Sequence, residues 1–326
     1  MKKLYPLKFS PICLSKIWGG QKIKTELGKD FGSLPNCGES WEISGVPGNI
    51  SVVCNGYLAE NNLEELIEVY MGDLVGDHVY EKFNVEFPLL IKFIDADDDL
   101  SVQVHPDDKL SKERHQAYGK TEMWYVLQAD KGARLNSGFN QPLDTNTYLQ
   151  KLSSGELMDI LNFEEVKPGD VFFMPAGRVH AIGKGILLAE IQQTSDVTYR
   201  IYDYNRKDTQ GKERELHTDL ALAAIDFTYH DRYRTEYEPT PNKNTEVVSC
   251  DYFTTSVLKF DRTVEKDIYD LDSFVIYICV EGECEIVYDE GSEKARKGET
   301  ILIPASLTQF RLKPLTGSVK LLEVHV

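Results

Sequence analysis

Apolar residues recur at helical spacing in three stretches of the chain. The first, within about 60–83, reads NLEELIEVYMGDLVGDHVYEKF from Asn62 and carries a break near its glycines, Gly72 and Gly76. The second covers 145–161 and is interrupted at 153–155, and the third covers 213–225, ERELHTDLALAAI. Much of the remainder reads as short runs of strand-forming residues punctuated by Gly, Pro, Asn and Asp. Many short strands separated by turns point to a barrel or a sandwich. The segment 231–245 is polar, holds Pro239 and Pro241 and has no strong period, so a linker is placed there.

An internal repeat refines this picture. VKPGDVFFMPAGRVHAI (166–182) aligns with ARKGETILIPASLTQFR (295–311), matching Gly169 to Gly298, Asp170 to Glu299 and Pro175 to Pro304. Upstream, EMWYVLQADKGARL from Glu122 aligns with FVIYICVEGECEIV from Phe274. Strand, acidic or glycine turn, strand and G-[DE]-x-x-x-x-P strand together resemble the two halves of the cupin motif. The resemblance implies a mainly β chain with helical insertions: a double cupin of two antiparallel jelly-roll barrels. The expected division is a cupin domain over 1–238, carrying insertions at about 60–83, 145–161 and 213–225, and a cupin-like domain over 239–326. The copies differ in chemistry. Glu122 aligns with Phe274 and His180 with Gln309, so metal-type side chains sit only in the first copy.

In DLSVQVH (99–105) the alternation puts Leu100, Val102 and Val104 on one face and Ser101, Gln103 and His105 on the other. The polar face could look into a barrel or into water. Glu122 opens an apolar strand, TEMWYV, where an unpartnered carboxylate is costly to bury. His180 closes the repeated strand after Pro175. Gln103, His105, Glu122 and His180 together offer two imidazoles, a carboxylate and an amide oxygen. Zn²⁺ accepts such a set with a position left open, and Fe²⁺, Mn²⁺ and Co²⁺ accept it too. Lys120, two residues before Glu122, could share that strand's face, where desolvation and a nearby cation lower an amine toward base chemistry.

Several segments are similar, in order, to elements of the type I mannose-6-phosphate isomerases. QVHPDD matches their Q-x-H-P-D signature, GKTEMWYV their G-K-x-E-x-W/Y segment and PAGRVHAI their P-x-G-x-x-H-A segment, while WGG, WEIS and SDVTYR also look like family elements. The resemblance runs from Trp18 to Arg206 and looks like the compact bacterial form. It implies one zinc ion per chain, held by Gln103, His105, Glu122 and His180. It implies interconversion of mannose 6-phosphate and fructose 6-phosphate through an enediol. Lys120, Glu190, Asp196 and Arg200 become the catalytic candidates. Ser101, Arg206 and Lys92, with Lys120, become candidates for the phosphate or sugar, and Glu39 and Trp41 of GESWEIS for the sugar. Two alternatives stay open: another metal-dependent cupin enzyme, and a non-catalytic sugar-binding or regulatory cupin. Against an iron oxygenase, Gln103 stands where an H-x-H ligand set has its first histidine.

The formal charge of −17 argues against nucleic acid and membrane surfaces as partners and requires any anionic substrate to meet a local cluster of Lys and Arg. A hexose 6-phosphate is the expected partner, on a monomer or weak homodimer. No apolar run is long enough to span a membrane, no leader is read at the start, and six cysteines without CxxC spacing read as reduced thiols of a cytoplasmic protein.

Overall fold

The strands hydrogen-bond into four antiparallel sheets in a computed structural model that describes residues 3–207 and 211–326. The first two sheets come from the N-terminal part. A seven-stranded sheet runs Arg234–Thr235, Val171–Met174, Glu122–Ala129, Ile186–Gln193, Leu89–Ala96, Glu39–Ser44 and Ile12–Leu14. A five-stranded sheet runs Tyr199–Tyr202, Val102–Val104, His180–Ile182, Arg134–Phe139 and Leu161–Glu165. Residues after 243 build a four-stranded sheet and most of a six-stranded one, whose edge strand, Leu7–Lys8, comes from the other end of the chain and pairs with Ile301 and Leu302.

Alternation along the central strands decides where the cores lie. Ile91, Phe93, Leu187 and Ile191 project from one face of the seven-stranded sheet and pack in one cluster with Val257, Ile276 and Leu322 of the six-stranded sheet. Burying each such side chain contributes roughly 1.5–3 kcal/mol, which makes this double-sided sheet the joint of the molecule. The opposite face contributes Ile94, Trp124, Val126 and Leu188 to a second cluster that also contains Leu135 and Ile182 of the five-stranded sheet. That inner space holds the site described below.

Helices lie where the 3.6-residue period placed them, with shorter bounds. Leu63–Tyr70, Gly72–Val75 and Asp77–Phe83 occupy the first stretch, broken at Met71 and Gly76. Asn62 and Glu65 form a reciprocal capping box on the first helix. Asp272, from the far end of the chain, accepts from the Asp77 and His78 amides at 2.7 and 2.9 Å and so caps the third helix. The second stretch is the helix Thr145–Ser153 followed by a 3₁₀ turn, Leu157–Ile160.

Two expectations are corrected. The helix read over 213–225 spans only Thr218–Ala224. Before it, the chain runs extended along the edge strand Tyr199–Tyr202: Arg200 donates its amide to His217 Nδ1 (3.1 Å), and the His217 amide donates to the Arg200 carbonyl (2.7 Å). Tertiary pairing overrides helix propensity there. Leu100 does not share a face with Val102 and Val104. The strand begins only at Val102, and Leu100 turns inward beside Trp18 and Trp124 while the two valines pack outward under Tyr148 and Leu157. Among the described residues no helix is long and apolar enough to cross a membrane.

Candidate active site and metal centre

Register builds the site from strands that are distant in sequence. Gln103 pairs with His180 on one side and with Arg200 on the other, so three polar residues share one row of the five-stranded sheet. In the facing sheet Glu190 pairs with Lys92 on one side and Trp124 on the other, and Glu122 pairs with Gln192 one step along. Side chains two apart share a face, so Glu122 and Trp124, Lys92 and Ile94, and Glu190 and Gln192 alternate with the residues of the joint.

His105, Glu122 and His180 converge. Their ligand-type atoms all lie within 4.8 Å of one another, and all three residues are buried. His105 Nε2 is 3.5 Å from Glu122 Oε2 and His180 Nε2 is 3.4 Å from Glu122 Oε1. Each imidazole is oriented by a carbonyl: Nδ1 of His105 faces Val197 O at 2.9 Å, and Nδ1 of His180 faces Arg178 O at 2.8 Å. A carbonyl only accepts, so Nδ1 carries the proton and the Nε2 lone pair points inward. Burial and then the Lys120 charge hold His105 well below its ordinary pKa, and burial brings His180 down to about 4. Both rings are neutral at pH 7, the ligating form.

The residues fit a metal ion by an independent sign: Glu122 Oε1 and His180 Nε2 are buried with no hydrogen-bond partner. Two lone-pair-bearing atoms left facing each other in a buried site are costly, and a shared cation satisfies both. Lys120 supplies a cation nearby, its Nζ 2.9 Å from Glu122 Oε2 and 3.0 Å from His105 Nε2.

Beside this group opens a cavity of about 410 Å³, lined by Gln103, Ser101, Lys120 and Arg200 among others. Lys16, Lys92, Lys120, Arg200 and Arg214 line it together with Glu39, Glu190 and Asp196, a cationic excess in an acidic chain. Inside, the charges are paired. Lys92 Nζ lies 3.1 Å from Glu190 and 3.9 Å from Glu39, over the Trp41 ring at 5.3 Å. Lys16 reaches Glu39 at 3.2 Å, and the indoles of Trp41 and Trp124 each donate at 2.8 Å, to Glu39 and Glu190 respectively. Burial opposes the charge on Glu190, but Lys92, then Lys120 and the Trp124 hydrogen bond, outweigh it and keep the carboxylate ionised. Glu122 goes the other way, raised by burial and by the Glu190 charge.

Comparison with known proteins places this geometry. Residues 7–132 match the family model "Phosphomannose isomerase type I, catalytic domain", and residues 243–326 match "Mannose-6-phosphate isomerase, cupin domain". The chain is 37% identical to mannose-6-phosphate isomerase ManA of Bacillus subtilis strain 168, over 94% of this chain and 96% of that protein. The chain belongs to the type I phosphomannose isomerases. It is likewise 34% identical to a mannose-6-phosphate isomerase of Streptococcus mutans, covering 95% of each chain. The crystal structure of the mannose 6-phosphate isomerase from Bacillus subtilis superposes with a TM-score of 0.86 at 31% identity, over 98% of this chain and 99% of that one.

Within this type I phosphomannose isomerase, the residues singled out from sequence divide into three groups. His105, Glu122, His180 and Lys120 form one buried cluster. Gln103, Ser101, Lys92, Glu39, Trp41, Glu190, Asp196 and Arg200 line the adjoining cavity. Arg206 does not line it: Asp203 takes its Nε and Nη2, the Asp99 carbonyl takes Nη1 at 2.5 Å, and Asp98 lies 3.6 Å away. Asp196 is exposed on the rim and forms no ion pair with Arg200 among the described residues; the carboxylates acting on Arg200 are Asp203 and then Glu215. Sequence reading missed Lys16, Asn49, Thr198 and Arg214 on the lining. Arg214 lay inside a segment read as helix. Lys16 stands two residues before Trp18, the first element of the family resemblance.

Proposed function

We propose that this chain interconverts mannose 6-phosphate and fructose 6-phosphate, moving a proton between C1 and C2 through an enediol with one zinc ion per chain. The observation that carries the reading is the convergence of two neutral imidazoles and a carboxylate with unsatisfied inward atoms beside a cationic cavity, in a member of this family. Gln103, in register with His180, completes the ligand set with His105, Glu122 and His180. Bound there, zinc would polarise the sugar's O1 and O2 and lower the cost of charge on them.

The remaining work falls to the chain's own side chains. Lys120 donates to the atoms that would take the ion, so ligation by those atoms releases it toward the substrate, where as a neutral amine it would accept and return the C1/C2 proton. Arg200 presents a buried Nε without a partner and stabilises negative charge on the enediolate. Glu190 holds Lys92 and orients it toward the sugar; Glu39 and Trp41 fix the same lysine from the other side. Ser101, whose hydroxyl makes no hydrogen bond among the described residues, meets the phosphorylated end, and Asp196 exchanges a proton with a sugar hydroxyl at the rim.

The domain reading goes with this one: a catalytic cupin over 1–238 and a cupin-like unit over 239–326 whose Phe274 and Gln309 replace the ligands of the first. The exception is Leu7–Lys8, which joins the sheet of the second unit. The test is a coupled assay for fructose 6-phosphate with several hexose 6-phosphates. Turnover of mannose 6-phosphate well above the others is expected. A folded, zinc-loaded protein that turns over none of them would favour a sugar-binding cupin instead.

A further inference from the structure

Three arginines lie around one carboxylate, Asp203, beside the cavity that Arg200 and Arg214 line. Asp203, 4% exposed, accepts from Nε (3.2 Å) and Nη2 of Arg206 and from Nε (2.6 Å) and Nη2 (2.5 Å) of Arg214. Burial works against the Asp203 charge, but these donors hold its acidity below the usual carboxylate range. Arg200 is the third, anchored through Nη1 to the Glu215 carbonyl at 2.8 Å. Burial first, then the positive charges of Arg214 and Arg206, lower its pKa. Against three guanidiniums stand the buried Asp203 and, at the outer edge beside Arg206, Asp98, so the group keeps a net positive charge suited to a phosphate.

The three are not equivalent. Arg206 has its fork occupied by Asp203 and the Asp99 carbonyl, with Asp98 beside it, and does not line the cavity. Arg214 lines the cavity, and its Nη1 has no hydrogen-bond partner among the described residues. Arg200 lines it as well, with its buried Nε unpartnered. We infer that Arg214, clamped by Asp203, supplies a guanidinium to the substrate's phosphate, and that Arg206 is a positioning residue that fixes Asp203. This rests on the isomerase reading for its substrate and on the geometry alone for its anion. The signal was hidden because Arg214 reaches the site only where the chain runs extended along the Tyr199–Tyr202 edge instead of coiling into the helix that follows.

The experiment compares the zinc-loaded wild type with Arg214→Ala, Arg214→Lys and Arg206→Ala. It measures KM and kcat for mannose 6-phosphate and, by calorimetry, the Kd of inorganic phosphate. Arg214→Ala should raise both KM and the phosphate Kd tenfold or more while kcat changes less than threefold, and Arg214→Lys should recover part of the loss by restoring charge without the fork. Arg206→Ala should weaken both constants less than Arg214→Ala does. Phosphate binding within twofold of wild type in a folded Arg214→Ala protein overturns the inference, as does a larger loss from Arg206→Ala. If the wild type binds phosphate through Arg214 yet turns over no hexose phosphate, the isomerase reading fails and this assignment stands.

Discussion

The Lys92–Glu190 pair offers a test of the buried charge network that does not depend on turnover. Both side chains are nearly inaccessible, 7% and 4% exposed, and their charged atoms are 3.1 Å apart, with Glu39 at 3.9 Å on the other side of the lysine. At an effective dielectric near 20, unit charges at these separations attract by about 5 and about 4 kcal/mol before desolvation is counted. Removing one partner of a buried pair costs about 3–5 kcal/mol because the other charge is left uncompensated. Glu190→Gln keeps an acceptor for the Trp124 indole and leaves Lys92 its second carboxylate, so the lower end, about 3 kcal/mol, is expected. In a chain of this size each kcal/mol lowers the melting midpoint by roughly 2 °C, so the midpoint should fall by about 6 °C. Lys92→Met strands Glu190 and should cost a similar amount. The double variant removes both charges together and leaves Glu39 with Lys16, so its midpoint should lie well above the additive expectation, near that of either single variant. Thermal melts of the four zinc-loaded proteins by near-ultraviolet circular dichroism give the cycle. Additive losses, about 12 °C in the double variant, would refute the network.

Other consequences are checked more quickly. His105→Ala and His180→Ala should each fold but retain less than a tenth of the wild-type zinc by elemental analysis; unchanged metal content would contradict the ligand set. Lys120→Ala should keep its zinc and lose about 10²–10⁴-fold in kcat, the range for a positioned proton-transfer group; a loss below fivefold removes Lys120 from that role. Gly76→Ala should destabilise by at least about 1–3 kcal/mol, because Gly76 has φ +96° and an added Cβ would lie 2.4 Å from the Asp272 carbonyl oxygen. An unchanged urea midpoint would show that this helix junction tolerates a side chain.

The parts of the site legible in the sequence are those governed by a period of two. Alternation in DLSVQVH placed Gln103 and His105 on one face, and Glu122 and Trp124 likewise fall on the inner face of their sheet. Where alternation had not yet begun, it misled: Leu100 precedes the strand, which starts at Val102, and turns inward. The repeat located the strands that carry Glu122 and His180, but nothing local says that residues so far apart meet at 3.4 Å; the packing of the five-stranded sheet, which holds His180, against the seven-stranded sheet, which holds Glu122, does that. Arg214 and Lys16 stayed hidden because each lies on irregular chain, where position is set by partners such as Asp203 and Glu39 and not by periodicity. The edge strand Leu7–Lys8 was equally unreadable, since its partner, Thr300–Ile303, is almost a full chain length away.

The central claim is that the His105–Glu122–His180 centre holds the ion on which turnover depends, and titrating zinc into chelator-stripped protein tests it most directly. Formation of fructose 6-phosphate from mannose 6-phosphate should be absent without metal and rise in proportion to bound zinc, levelling at one ion per chain. Full turnover in protein shown by elemental analysis to hold no metal would contradict the account.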